Sequence, residues 1–86
     1  MTEPISLPEF EGFDWDEGNV EKNWISHQVT PQEAEQLFFN RPLLVDEDVK
    51  HSRAEKRYLE LGQTDEDRPL FIAFTVRERR LRVISA

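Results

Sequence analysis

The sequence contains no cysteine, which excludes disulfide staples, thiolate metal ligands and thiol nucleophiles. Glycine is nearly as scarce, at three residues, and there is neither a Gly-rich phosphate loop nor a Gly-x-Ser-x-Gly elbow. Histidine is limited to His27 and His51, which are not spaced as a ligand pair. The acids before His51 (Asp46, Glu47, Asp48) are consecutive, so one strand or turn would splay them. No metal site and no cofactor is expected. Long apolar runs are also missing: nothing approaches the roughly 20 residues of a membrane span, and the opening Met1-Thr2-Glu3-Pro4 has no basic or apolar leader region. The expectation is a soluble cytoplasmic protein with no membrane partner.

Eighty-six residues can form one domain, since a chain of this size buries only about 60% of its unfolded surface and has no room for two cores. With 37% hydrophobic residues, including six Phe and two Trp, that core must rest on aromatic burial and sheet packing. The formal charge of −7 argues against a polyanion ligand at first, but the average hides a division. Residues 1–48 carry twelve acids against Lys22 and Arg41, a balance of −10, whereas residues 49–86 carry six acids and nine bases, a balance of +3. A second half that meets a polyanion while the first repels it fits this asymmetry; an unevenly charged solvated surface fits it too.

Residues 1–9, with Pro4 and Pro8 and no periodicity, read as a flexible arm, leaving residues 10–86 as the domain. Phe13 and Trp15 alternate with acids as in a short strand. Asp16 can cap a helix reaching about Gln28, on which Val20, Trp24 and His27 face one way. Thr30-Pro31-Gln32-Glu33 supplies an N-cap, a first-position proline and a capping-box glutamate. This second helix carries an apolar stripe of Ala34, Leu37 and Phe38, and Pro42 ends it at or before Arg41. Four strand patterns follow, over residues 43–45, 56–61, 70–76 and 80–85, with residues 62–69 and 77–80 as hairpin connections. The result is an α+β fold: a short N-terminal strand, two helices, then an antiparallel sheet of about four strands, covered on one face.

Trp15-Asp16-Glu17, Asn23, His27, Glu33-Ala34, Phe38, Pro42, Asp48, His51-Ser52, Glu55, Arg57, Gly62, Phe74-Thr75, Arg77 and Arg82-Val83-Ile84-Ser85-Ala86 occur in an order and spacing that together resemble the BrnT family of bacterial toxins. The resemblance implies a RelE-like fold and a metal-independent endoribonuclease that inhibits translation. It also implies a ribbon-helix-helix antitoxin encoded beside the toxin, with operator DNA reached only through that antitoxin. Chains of this kind usually continue past the Ile-Ser-Ala strand into a short basic helix, so this sequence, ending at Ala86, reads as a domain without it. Ser26 and Gln28 stand where the family commonly has a basic residue and a glycine.

RNA carries its own nucleophile, the 2′-hydroxyl. Cleavage therefore needs a base for that proton, a donor for the leaving 5′-oxygen and positive charge on the phosphorane. Arginine suits the last task because its planar fork matches phosphate geometry. Arg57, Arg77 and Arg82 are the candidates, with Arg77 and Arg82 brought together by a tight hairpin; Arg57 also reads as a partner of Glu55 or a flank of the sheet, and Arg79 and Arg80 as solvated hairpin residues. His27, one helical turn after Asn23 on the same face, and Glu55, on the strand face of Arg57, are the candidates for proton transfer. Each has a plainer reading, as a capping or half-buried core histidine and as a surface ion-pair acid. Trp15, Trp24, Phe38 and Phe39 could stack bases or form core. A different class stays open: a catalytically inactive or attenuated interaction domain of the same fold, whose acid-poor second half docks a protein partner.

Overall fold

The computed structural model describes residues 7–85; residues 1–6 of the expected arm and Ala86 lie outside the described residues. The chain is α+β. A two-residue strand β1 (Gly12–Phe13) leads into α1 (Glu17–His27) and α2 (Pro31–Gln36), then β2 (Leu44–Glu47), a 3-10 turn (Val49–His51), β3 (Arg57–Gln63), β4 (Pro69–Arg77) and β5 (Arg80–Ser85). The sheet order is β1-β5-β4-β3-β2. The last four strands form the expected antiparallel meander. β1 joins as a fifth strand by parallel pairing with β5, Gly12 opposite Arg80 and Phe13 opposite Leu81, so the sheet is mixed. A short strand that opens the chain can reach the edge left by β5 only after two helices and the whole meander have been laid down, and sequence pattern gives no sign of that pairing.

Capping chemistry sets both helices. Asp16 accepts from the amides of Gly18 and Asn19 at 2.8 and 3.3 Å, and Gln28 closes α1 in the left-handed conformation at φ 55°. Thr30 and Glu33 form the full capping box, and Glu33 is held below the usual carboxylate range by the Thr30 amide against the opposing effect of burial, with the Arg68 guanidinium assisting. α2 ends at Gln36, well before Pro42; Leu37 and Phe38 continue the buried stripe in the turns that follow, with Ala34, Leu37 and Phe38 all 2% exposed or less.

These side chains meet the inner face of the sheet, where Val45, Leu70, Ile72, Phe74, Leu81 and Val83 are buried. An aromatic chain runs through this core: Phe10 against Phe13 (5.3 Å), Phe13 against Phe38 (5.5 Å), Phe38 against Phe74 (5.2 Å), and Tyr58 stacked on Phe74 (5.2 Å). Leu7 also packs against it. Gly62, expected in a turn, lies inside β3 because the sheet and Leu37 approach closely there: an added Cβ would sit 3.2 Å from Leu37 Cγ. The connection is instead Thr64 to Arg68, held by the Thr64 amide donating to the Arg68 carbonyl at 2.9 Å.

α1 is more amphiphilic in the wrong places than its periodicity suggests. Asn23 is its buried residue, at 2% exposure, while Trp24 is 54% exposed and His27 is exposed. Asn19 donates to the Val83 carbonyl at 3.4 Å, so the helix lies along β5 beyond the reach of β1.

Candidate active site

Strand register assembles the arginines. In β3, β4 and β5, Arg57, Thr75 and Arg82 stand directly opposite one another as one cross-strand row. Direct partners share a face, and Arg77 follows Thr75 on that face by the two-residue period of a strand. Thr75, 1% exposed, stands between Arg57 and Arg82 in this row and donates its hydroxyl to the Lys56 carbonyl at 2.7 Å. The row therefore lies on the outer face of the sheet, opposite the helices.

Glu55 lies two residues before the start of β3 and meets the end of the adjacent β4. Its two carboxylate oxygens accept from Arg77 Nε at 2.6 Å and Nη2 at 2.7 Å, a bidentate pair. Arg57, the partner first expected for it, makes no side-chain ion pair among the described residues. The Arg77 hydrogen bonds hold the Glu55 carboxyl below its ordinary range against the effect of burial, with the charges of Arg77, Arg57 and Arg82 all contributing. Arg77 is shifted up by the same hydrogen bonds. Arg82 donates from Nη2 to Asp14 at 3.3 Å, while its Nε is buried without a partner among the described residues.

Beside the row opens a cleft lined by Lys50, His51, Arg53, Ala54, Glu55, Arg57 and Arg77. Its cations all come from the basic half of the sequence. His51 is held at 2.8 Å from Asp48 Oδ2 through Nδ1, which leaves Nε2 as the ring atom available to a ligand. Ser52 braces the wall by accepting from the Arg57 amide at 2.9 Å and donating to the Asp48 carbonyl at 2.7 Å.

Four of the five candidates from sequence, Glu55, Arg57, Arg77 and Arg82, are thus brought together. His27 is not. It closes α1 at the other end of β4, where it lines a separate hollow with Arg68, Pro69, Leu70, Phe71 and Ser85. Seven residues of strand, roughly 23 Å, lie between that end and Arg77. The carbonyls of His27 and Gln28 accept from Arg68 at 2.8 and 2.9 Å. Arg68 also pairs with Glu33 at 3.1 Å, so it ties both helices to the β3–β4 turn. Among the aromatics considered for stacking, Phe38 is core, Trp15 is half-buried with its indole N–H on Glu35 at 2.7 Å, and Trp24 and Phe39 are exposed away from this cleft.

The profile of a family described as the ribonuclease toxin, BrnT, of type II toxin-antitoxin systems matches residues 15–86. The chain belongs to the BrnT family. A search of curated proteins gave no match. As a BrnT chain it comes from a family of ribonuclease toxins whose members imply an RNA substrate and an antitoxin partner, and no helix among its described residues is long and apolar enough to cross a membrane. The match covers every residue of the arginine cleft; Asp14, which holds Arg82, lies one residue before it. His51 entered the sequence reading as an unsuited metal ligand and as part of the BrnT-like pattern, but not as a candidate for proton transfer. Its spacing of three from Asp48, within a single turn, was the available signal.

Proposed function

We propose that this BrnT chain is a metal-independent endoribonuclease acting at the Arg57–Thr75–Arg82 row, inhibiting translation and neutralised by a ribbon-helix-helix antitoxin that carries it to operator DNA. The observation that carries this reading is the convergence of Arg57, Arg77 and Arg82 around one ionised glutamate. Three guanidiniums supply the charge that a phosphorane requires. Glu55 takes the 2′-hydroxyl proton as the 2′-oxygen bonds to phosphorus. His51, oriented by Asp48, gives a proton from Nε2 to the 5′-oxygen as the P–O5′ bond breaks. The products are a 2′,3′-cyclic phosphate and a 5′-hydroxyl, so electrons and protons balance without a cofactor. Arg57, with no ion-pair partner of its own among the described residues, makes the first phosphate contact.

A second reading has its own support. Glu55 occupies two donors of Arg77 and Asp14 engages Arg82, which neutralises two of the three arginines internally. An attenuated or inactive interaction domain would look the same. Incubation of the purified chain with RNA in EDTA separates the two. The parent is expected to cut, and Arg57→Ala to cut about 100-fold more slowly with an unshifted melting transition. Silence from the parent would leave the interaction domain.

A further inference from the structure

The outer face of the sheet changes character along its length. At the end opposite the arginines, Leu44, Leu61 and Phe71 form another cross-strand row, and they remain 51%, 47% and 58% exposed. Beside them Pro42, Leu44, Leu61, Gly62, Gln63 and Pro69 line a small apolar hollow. The inner-face neighbours Leu70, Ile72 and Phe74 are 8% exposed or less, so this is an apolar row left uncovered among the described residues rather than an incomplete core.

We infer that this face docks an acidic, apolar-anchored segment of the antitoxin, which seats a large apolar side chain against the Leu44–Leu61–Phe71 row and lays carboxylates across Arg57 and Arg82. The inference rests on the proposed function for the identity of the partner, and it adds where and by what chemistry inhibition occurs. Charge complementarity fixes the occupant. Arg57 has no ion-pair partner among the described residues and Arg82 has one, Asp14 at 3.3 Å; partner carboxylates pair with the first and reinforce the second. RNA fits the apolar end poorly, because the residues lining its hollow offer no cation to a phosphate. The two anchor points lie four β4 residues apart, Phe71 to Thr75, or about 13 Å. That is about four residues of an extended partner or nine of a helical one. A segment so placed covers the arginine row, and inhibition is then steric and electrostatic at once.

The test is binding of the antitoxin encoded beside this chain, purified separately, to the wild type and to Leu61→Asp/Phe71→Asp, with RNA cleavage and sedimentation read on the same samples. Both sites are solvent-facing, so the fold is expected to survive; Leu61→Gln/Phe71→Ser replaces the pair if the aspartates prevent folding. The expected result is antitoxin affinity weakened roughly 30-fold or more with RNA cleavage within about twofold of wild type. Unchanged antitoxin affinity overturns the inference. So does a loss confined to RNA binding, which would give the row to RNA, or conversion of a dimer to a monomer, which would give it to a second copy. A parent silent on RNA would defeat the ribonuclease reading while leaving the antitoxin arm fully readable.

Discussion

Glu55 and Glu60 are close in sequence and meet opposite fates on the two faces of the sheet. Glu60 points inward from β3, is 0% exposed, and neither of its carboxylate oxygens has a partner among the described residues. Burial pushes its pKa up to about 8, with Arg41 opposing. Glu55, on the outer side, gains two charge-assisted hydrogen bonds from Arg77 and is pulled below the ordinary range. One glutamate is held as a neutral acid in a core and the other as an anion among cations. Desolvation pushes both carboxyls up; the difference is that the hydrogen bonds and charge of a guanidinium outweigh it at Glu55, whereas at Glu60 nothing does.

The sharpest way to break this comparison is through pH. For Glu60 the native state keeps a proton that the unfolded chain gives up, so stability is highest below about 4.5 and declines as pH rises toward about 8. At about 1.4 kcal/mol per pH unit, the decline is on the order of 5 kcal/mol. Glu60→Gln should abolish most of it, and urea midpoints at pH 5 and pH 8 should converge in the variant while separating widely in the parent. A parent with equal midpoints would mean that Glu60 finds a partner or water in solution.

Glu55 gives the mirror image at a smaller scale. Its lowered pKa contributes stability that is present above 4.5 and lost as pH falls below it. Because the pair with Arg77 is partly exposed, Glu55→Gln is expected to cost about 1 kcal/mol at neutral pH and nothing measurable near pH 2. The same variant tests chemistry: as the proposed base, its loss should slow RNA cleavage about 100-fold. A variant less stable yet equally fast would leave Glu55 as a brace for Arg77 alone.

The closeness of Arg77 and Arg82 was legible in the sequence because period-2 alternation and hairpin pairing are local rules, whereas Arg57 joins them through a β3–β4 register that the sequence does not display. The second helix was equally legible from Thr30, Pro31 and Glu33, whose capping acts within one turn. Long-range features were not. Parallel pairing of β1 with β5 depends on an edge created by the rest of the fold. His27 looked attractive on a helical wheel, yet the end of α1 lands at the far end of β4, tied there by Arg68. Gly62 read as a turn because a close approach to Leu37 cannot be seen along the chain. Glu60 falls within the strand read over residues 56–61, where alternation alone does not say which face is covered, and the inward sense of β3 buries it.

The smallest effect concerns how firmly the arginine end of the outer face is held. The β4–β5 hairpin turns through Glu78 and Arg79 at φ 50° and 65°, both left-handed and neither glycine. Arg77 and Arg80 flank it in register, so this two-residue turn fixes where Arg77 sits relative to Arg82. Two positive φ values in succession belong to the turn whose twist matches paired strands, and Asn-Gly adopts it with least strain. The native pair is held partly by the Glu11 amide donating to the Arg79 carbonyl at 2.6 Å, a bond that any residue at this position can accept. The Arg79–Glu11 ion pair is 77% and 69% exposed and contributes little. Glu78→Asn/Arg79→Gly should therefore raise stability by about 1 kcal/mol, read as a higher denaturation midpoint, with the register of Arg77 kept. A lower midpoint would mean that β1 is held to β5 through the Arg79 side chain rather than its backbone, and that the arginine end depends on the opening segment of the chain.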